Sequence, residues 1–217
     1  FISKAKEDKV LVDNTKESKK IEQIGKEIYT SINTYYLNKR EKNPVEEFNW
    51  QFALIESEAK NAWCMPGGKI AVYTGILNVA ENNDGLSTIM GHEIAHAVAK
   101  HSVERMSQAM AVNLGTQVAD IFLGGAINRT RNTVGQSTGL DIFKIGIMNP
   151  FGRKQETEAD YLGLIFSSLS GFDIRETTKI WERMAEANKG KIPPEFMSTH
   201  PSTDNRRKKI EEWISEV

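Results

Sequence analysis

From residue 14 to residue 40, Ile21, Ile24, Ile28, Ile32 and Tyr35 or Tyr36 recur every three or four positions among lysines and glutamates, a spacing that predicts an amphipathic helix. Pro44 ends that period. The run FNWQFALI, residues 48–55, is dense in aromatic and branched apolar residues and reads as a strand. In NAWCMPGGKIAVYTG, residues 61–75, two short strand-like pieces flank Pro66, Gly67 and Gly68, which is a hairpin signal. ILNVAEN then reads as a short helix, and Asn83 or Asp84 caps a long one expected from about Gly85 to about Gln117. Residues 124–153 mix glycine, polar residues and an apolar patch without a sustained period, so a loop or short helical pieces are expected there. Helical spacing returns from Lys154 to Ser170 with Gly171 as its stop. Asp173 is the expected cap of a further helix to Asn188, and a last helix begins at Thr203 or Asp204.

These elements add up to an α+β fold, mainly helical, with a small sheet. A length of 217 residues with 39% hydrophobic content fits one domain, 1–217, made of an N-terminal helical region (1–45) and a catalytic core (46–217). The formal net charge of -1, with both signs interspersed, gives no global attraction for nucleic acid or an anionic membrane. Cys64 is the only cysteine, so no internal disulfide forms and the redox compartment stays open. No apolar run approaches the roughly 20 residues of a membrane span; Val118 to Ile127 is short and broken by Asp120 and two glycines. A soluble segment is expected. The opening FISKAKEDKV lacks the charged and apolar regions of an export signal, so any signal or lipid anchor belongs to a longer precursor.

The chemistry sits on the predicted long helix, where His92-Glu93-Ile94-Ala95-His96 forms an HExxH motif. At about 100° per residue the two histidines stand one turn apart and about 40° apart around the axis, so both imidazoles reach one ion. Glu93 lies at the edge of the same face. A catalytic zinc takes three protein ligands and keeps one position for water, so a third ligand must come from elsewhere. The metzincin continuation is absent, because Ala99 and Ser102 stand where it needs Gly and His. His101, about 180° round the helix from His92, reads as a surface or cap-region residue.

Downstream, Glu156-Thr157-Glu158-Ala159-Asp160 puts Glu156 and Asp160 on one helical face, with Glu158 pointing away. Zinc sites commonly give a ligand imidazole's other N–H to a carboxylate, so Glu156 is expected on the metal and Asp160 on the imidazole of His92. Taken alone, the same acids also read as a helix start placed for the macrodipole.

HEIAHAVAKH followed by RKQETEADYLG, with NAWCMPGGKIAVYTG before and THPSTDNR after, resembles the HtpX and CAAX-prenyl-protease family of gluzincin peptidases, family M48. The similar blocks run from about Asn61 to Arg206 and look most like its soluble envelope and mitochondrial members. The resemblance implies a zincin-like catalytic domain, with an edge strand along the active-site cleft and the HExxH helix facing a glutamate-bearing helix. It implies one Zn2+ per chain on His92, His96 and Glu156, with Glu93 as general base and Asp160 as orienter of His92. It adds Asn61, Ala62 and Trp63 as an edge strand that pairs with substrate, and His200 and Arg206 as the two named positions of an HPxxxxR block near the site. By itself the sequence gives His200 only as a histidine before a proline, Asn61 as a turn or strand-end residue, and Arg206 beside Arg207 as a basic helix start. His200 either donates to the oxyanion of the transition state or, in a resting state, fills zinc's open position.

The function expected from these residues is zinc-dependent endopeptidase action on extended or misfolded polypeptide segments, in envelope protein quality control. The implied location is the bacterial periplasm or cell envelope, with membrane tethering through a lipidated precursor. Cys64, without an assigned partner histidine, reads as a small residue of the hairpin rather than a nucleophile. Residues 124–153 have the composition of a lid. The alternatives are a zinc-containing, chaperone-like binder, against which Glu93 speaks because only chemistry needs it, and a metal-free helical adaptor.

Overall fold

Four isoleucines spaced for one helical face, Ile21, Ile24, Ile28 and Ile32, are all withdrawn from water along α2 (Lys16–Lys39). Thr15 starts this helix by accepting from Ser18 N–H while its own N–H is taken by the Ser18 hydroxyl, a reciprocal cap. Arg40, in the left-handed region at φ 57°, stops it. The computed structural model describes residues 2–108, 110–111, 152–187, 195–200 and 204–217, the side chains of Ala187, Glu195 and Asp204 excepted. By internal contacts the chain divides into one compact unit, residues 1–99 and 150–217, and a second, residues 100–149.

In the first unit α1 (Ile2–Glu7) and β1 (Leu11–Val12) precede α2, and neither was visible in the sequence pattern. The sheet strands follow as β2 (Gln51–Ile55), β3 (Ala62–Met65) and β4 (Lys69–Tyr73), in the order β1-β2-β4-β3. β2 and β4 are parallel, whereas β1 with β2 and the β3–β4 hairpin are antiparallel. Gly67 and Gly68 take positive φ, 81° and 79°, to make the hairpin turn. β2 starts at Gln51, later than the pattern suggests, because Phe48 and Trp50 leave the strand for an aromatic cluster with Tyr29. Side chains alternate across the sheet. Leu54, Ala62, Cys64, Ile70 and Val72 join the main core with the helices, while Ala53, Ile55, Ala71 and Trp63 face a second cluster with Ala5.

After α3 (Thr74–Ala80), helix α4 (Asn83–Val98) carries the HExxH sequence, with Asn82 accepting from Gly85 N–H as its cap. The expected run to Gln117 is not continuous: α4 stops at Val98, and Lys100 turns the backbone left-handed at φ 59° before residues 101–108 become helical again. His101 is buried at the start of that helical run, so the surface alternative of its reading is corrected and the cap-region one stands. The proposed lid, 124–153, lies outside the described residues apart from Gly152 and Arg153.

Helices α5 (Arg153–Leu169), α6 (Glu176–Ala187), α7 (Glu195–Thr199) and α8 (Asp204–Ile214) complete the unit. Asp173 does not cap α6 directly: its carboxylate accepts from Arg175 N–H in the preceding turn, and its own N–H is taken by Asp84 of α4. α4 and α5 cross where neither has a side chain. A Cβ on Gly91 would stand 2.6 Å from the Ser167 hydroxyl and 3.0 Å from the Gly163 carbonyl, and one on Gly163 would stand 3.0 Å from the His92 nitrogen. Ser167 also donates to the Ser87 carbonyl across the same contact, at 3.1 Å. The backbone just before His92 therefore touches the helix that bears Glu156.

Substituting Gly91→Ala should destabilise the fold by about 1–2 kcal/mol in urea denaturation, overpacking outweighing the gain of about 1 kcal/mol in helix propensity. Adding Ser167→Ala should restore part of that loss. Equal stability of Gly91→Ala and the parent would show that the two helices separate without cost.

Candidate metal centre

His92 and His96, one turn apart on α4, bring their Nε2 atoms to 3.0 Å of each other. From α5, Glu156 places Oε1 3.3 Å from His96 Nε2 and Oε2 3.6 Å from His92 Nε2. His200, just after α7, puts Nδ1 3.1 Å from His92 Nε2 and 3.0 Å from Glu156 Oε1. Among the described residues these four side chains form a group able to hold a metal ion, with donor atoms all within 4.8 Å of one another. On its other ring nitrogen His200 lies 3.1 Å from Glu93 Oε1. All five are buried, Glu93 to 2% exposure and His96 to 1%.

Behind the donors stands a fork of charge. His92 Nδ1 lies 3.0 Å from the Asp160 carboxylate, which fixes the Nδ1–H tautomer and leaves the Nε2 lone pair facing the group. Arg206, from α8, grips Asp160 through Nε and a second nitrogen, the latter at 2.8 Å, approaches Glu156 Oε2 to 2.5 Å and donates to the His200 carbonyl at 3.3 Å. Its guanidinium lies 4.5 Å over the Trp181 ring.

Electrostatics follow from these contacts. Burial pushes His96 well below its ordinary pKa, so it stays neutral with a lone pair to give. Burial alone would raise Glu156, but His200, His96 and His92 outweigh it and hold the carboxyl far below the usual range. Asp160 is likewise held down against burial, by Arg206 first and His92 second. Burial opposes charge on His200, yet Glu93 and Glu156 override it and push its pKa up to about 9. Burial, with Glu93 adding to it, drives the Cys64 thiol well above its ordinary value, which is the state of a core residue rather than a nucleophile.

The group fits a metal. Two imidazole nitrogens and one ionised carboxylate converge from two helices, the donor set of a catalytic zinc site, and a tetrahedral ion with bonds of about 2.0–2.1 Å separates its donors by about 3.3 Å. Glu93 Oε1 lies buried beside this donor set, with His200 Nε2 3.1 Å away.

The remaining residues expected at the site lie along β3. Asn61 is buried with its side-chain oxygen accepting from Ala62 N–H at 2.9 Å and its carbonyl accepting from Tyr73 N–H at 3.0 Å. Ala62 and Cys64 turn their side chains toward the α4 core, whereas Trp63 turns into the second cluster, across the sheet from the donors. Sequence reasoning missed Phe196, whose ring lies 4.6 Å from that of His200 and 6.1 Å from that of His92. No signal for it existed, because α7 is a five-residue helix with too little length to show a period.

The sequence profile described as peptidase family M48 matches residues 16–214. The chain belongs to peptidase family M48. It is similar to "Mitochondrial metalloendopeptidase OMA1" of Schizosaccharomyces pombe, 39% identical over 175 residues that cover 80% of this chain and 49% of that protein. It is also similar to "Beta-barrel assembly-enhancing protease" of Yersinia pestis, 26% identical over 82% of this chain and 38% of that protein, and to "Metalloprotease YcaL" of Escherichia coli, 26% identical over 66% and 54%. This M48 chain thus spans about half the length of the OMA1 protein of fission yeast. Among its described residues no helix is long and apolar enough to cross a membrane.

Replacing Arg206 with Lys keeps the charge but loses the fork, so metal affinity should fall about 10–100-fold in competition with a chromophoric chelator. Unchanged affinity would show that Glu156 and Asp160 hold their places unaided. With chelator present, His200 adds stability that is full below its unfolded pKa of about 6.5 and is lost as pH rises through about 9. Thermal midpoints should fall across that window and flatten in His200→Gln.

Proposed function

We propose that this chain is a zinc metalloendopeptidase acting on extended polypeptide, with His92, His96 and Glu156 as metal ligands and Glu93 as general base. The observation that carries this reading is the convergence of three buried donors on one point with the buried carboxylate of Glu93 beside them. Zinc bound there would polarise a scissile carbonyl and acidify a water. Glu93 takes that water's proton and hands it to the leaving amine; its burial raises the strength of the exchange and keeps bulk water out. Asp160, itself gripped by Arg206, holds the His92 ring in the tautomer that offers Nε2. Arg206 is a positioning residue in this scheme.

The geometry of His200 supports a resting form. Its Nδ1 stands among the donors while its Nε2 faces Glu93, so a single side chain fills the place of the attacking water and engages the base. Displaced from there, its N–H is available to the oxyanion. Substrate is held at β3, an edge strand of the sheet. The backbone groups of Cys64 and the Ala62 carbonyl face outward from the sheet, the Ala62 N–H being taken by Asn61, which suits pairing with an extended chain, whereas Trp63 points its backbone at β4. Cys64 is close enough to feel the charge of Glu93, which brings such a chain to the base.

Unfolded or misfolded proteins are the substrate class in this proposal, because only a chain free of its own structure offers an unpaired backbone. Action in the cell envelope, in the periplasm or at its membranes, accords with a relative named for β-barrel assembly. A single catalytic domain, 1–217, is part of the same reading.

Zinc-loaded chain should cleave unfolded casein and lose that activity to chelator, and Glu93→Gln should lower it about 10²–10⁴-fold. Zinc content, measured after purification without added metal, should be alike in both. Full activity in Glu93→Gln, or failure of the wild type to bind zinc at all, would overturn the reading.

A further inference from the structure

β1 covers only part of β2. It pairs with Leu54 and Ile55, and after Val12 the chain turns away through Asn14, at φ 58°, into α2. Gln51, Phe52 and Ala53 therefore have β4 on one side and, among the described residues, no strand on the other. Backbone groups alternate in direction along a strand. Gln51 N–H donates to the Gly68 carbonyl beside β4 at 2.9 Å, and Glu56 N–H donates to the Val10 carbonyl on the opposite side at 2.7 Å. Phe52 has the parity of Glu56, so its N–H and carbonyl turn to the open side, where neither meets a hydrogen-bond partner among the described residues. A groove of about 610 Å³ runs along this edge. Every residue from 48 to 54 lines it, although Phe52 and Leu54 send their side chains to one face of the sheet and Ala53 to the other, so the backbone itself borders the groove.

We propose that this edge is a second seat for the polypeptide substrate, an extended stretch of which lies in line with β1 and pairs with the N–H and carbonyl of Phe52. Naming the occupant as substrate rests on the metallopeptidase reading above. The groove selects by chemistry. A free N–H and carbonyl on one strand residue are satisfied together by another backbone, and a folded protein has already used its own. Its charges cancel, Lys6 and Lys26 standing against Asp13 and Glu22 with Lys26 held on Glu22 at 2.6 Å, so a strongly acidic or basic partner gains nothing here. Tyr29 and Phe48, each 5.6 Å from the Trp50 ring, form with it an aromatic surface for the apolar side chains that an unfolded chain exposes. β3, which receives substrate in that reading, is the other edge of the same sheet. A long unfolded chain reaches both edges, and the second contact raises its affinity without touching the metal donors. A short peptide occupies β3 alone.

Hydrogen exchange with mass-spectrometric readout tests this on zinc-loaded Glu93→Gln chain, with and without saturating unfolded casein. Casein should slow exchange in 50–53 as well as in 62–65. Slowing in 62–65 alone, while wild type cleaves casein, overturns the second seat and leaves the peptidase reading intact. Absence of zinc-dependent cleavage by wild type fails that reading instead, and exchange in 50–53 still decides whether the edge takes polypeptide. A pair of variants gives a second readout. Phe52→Pro removes an N–H that no native bond uses, which an edge strand tolerates, whereas Phe52→Leu keeps it; both lose the ring. KM for casein should be about threefold to tenfold higher in the proline variant than in the leucine variant, with kcat little altered. For a peptide of about six residues, whose roughly 20 Å are used up along β3, the two KM values should agree. Equal KM values for casein would count against the proposal. A wild-type dimer in sedimentation that Phe52→Pro abolishes would overturn it too, assigning the edge to a second copy of the chain. Should the proline variant fail to fold, the exchange measurement decides alone.

Discussion

Three carboxylates and three imidazoles are shut away from water in one small volume, and the guanidinium of Arg206 makes this tolerable. Unpaired, each buried charge is expensive, and removing one member of such a set commonly costs 3–5 kcal/mol. Arg206 reaches Asp160, Glu156 and the His200 carbonyl from one rigid plane, with Trp181 beneath it. Lysine has no comparable geometry. Because Asp160 holds His92 and Glu156 faces both histidines of α4, a single side chain on α8 sets the relation between elements far apart in the sequence.

That electrostatic set depends in turn on how near two helices come. Gly91 and Gly163 let α4 and α5 meet backbone to backbone, and the Ser167 to Ser87 hydrogen bond secures the crossing. The sheet supplies the other boundary. Its period-two alternation sends Ala62 and Cys64 toward α4 and Trp63 away, so the strand nearest the chemistry lines the core with small side chains. A large residue at either position would hold α4 off the sheet.

The parts legible in the sequence were those whose spacing has one physical meaning. Isoleucines at helical spacing gave α2, Pro66-Gly67-Gly68 gave the hairpin, and histidines four apart gave a two-ligand face. Glu156 and Asp160 were legible for the same reason, as carboxylates on one helical face. What lacked length lacked a signal. α1, β1 and α7 are too short for a period to show, and α4 was drawn too long because the apolar pattern runs on past Lys100, where the backbone turns left-handed. His200 and Arg206 needed resemblance, since nothing in a histidine before a proline or in a basic helix start tells which way either points.

The bare crossing of α4 and α5 carries a lesson for recognising this architecture in unfamiliar chains. A glycine directly ahead of the first histidine, answered by another seven positions beyond Glu156, is a demand of shape rather than of chemistry. Searching for both together would separate chains able to assemble the pocket from those in which two histidines and a glutamate fall at the right interval by accident.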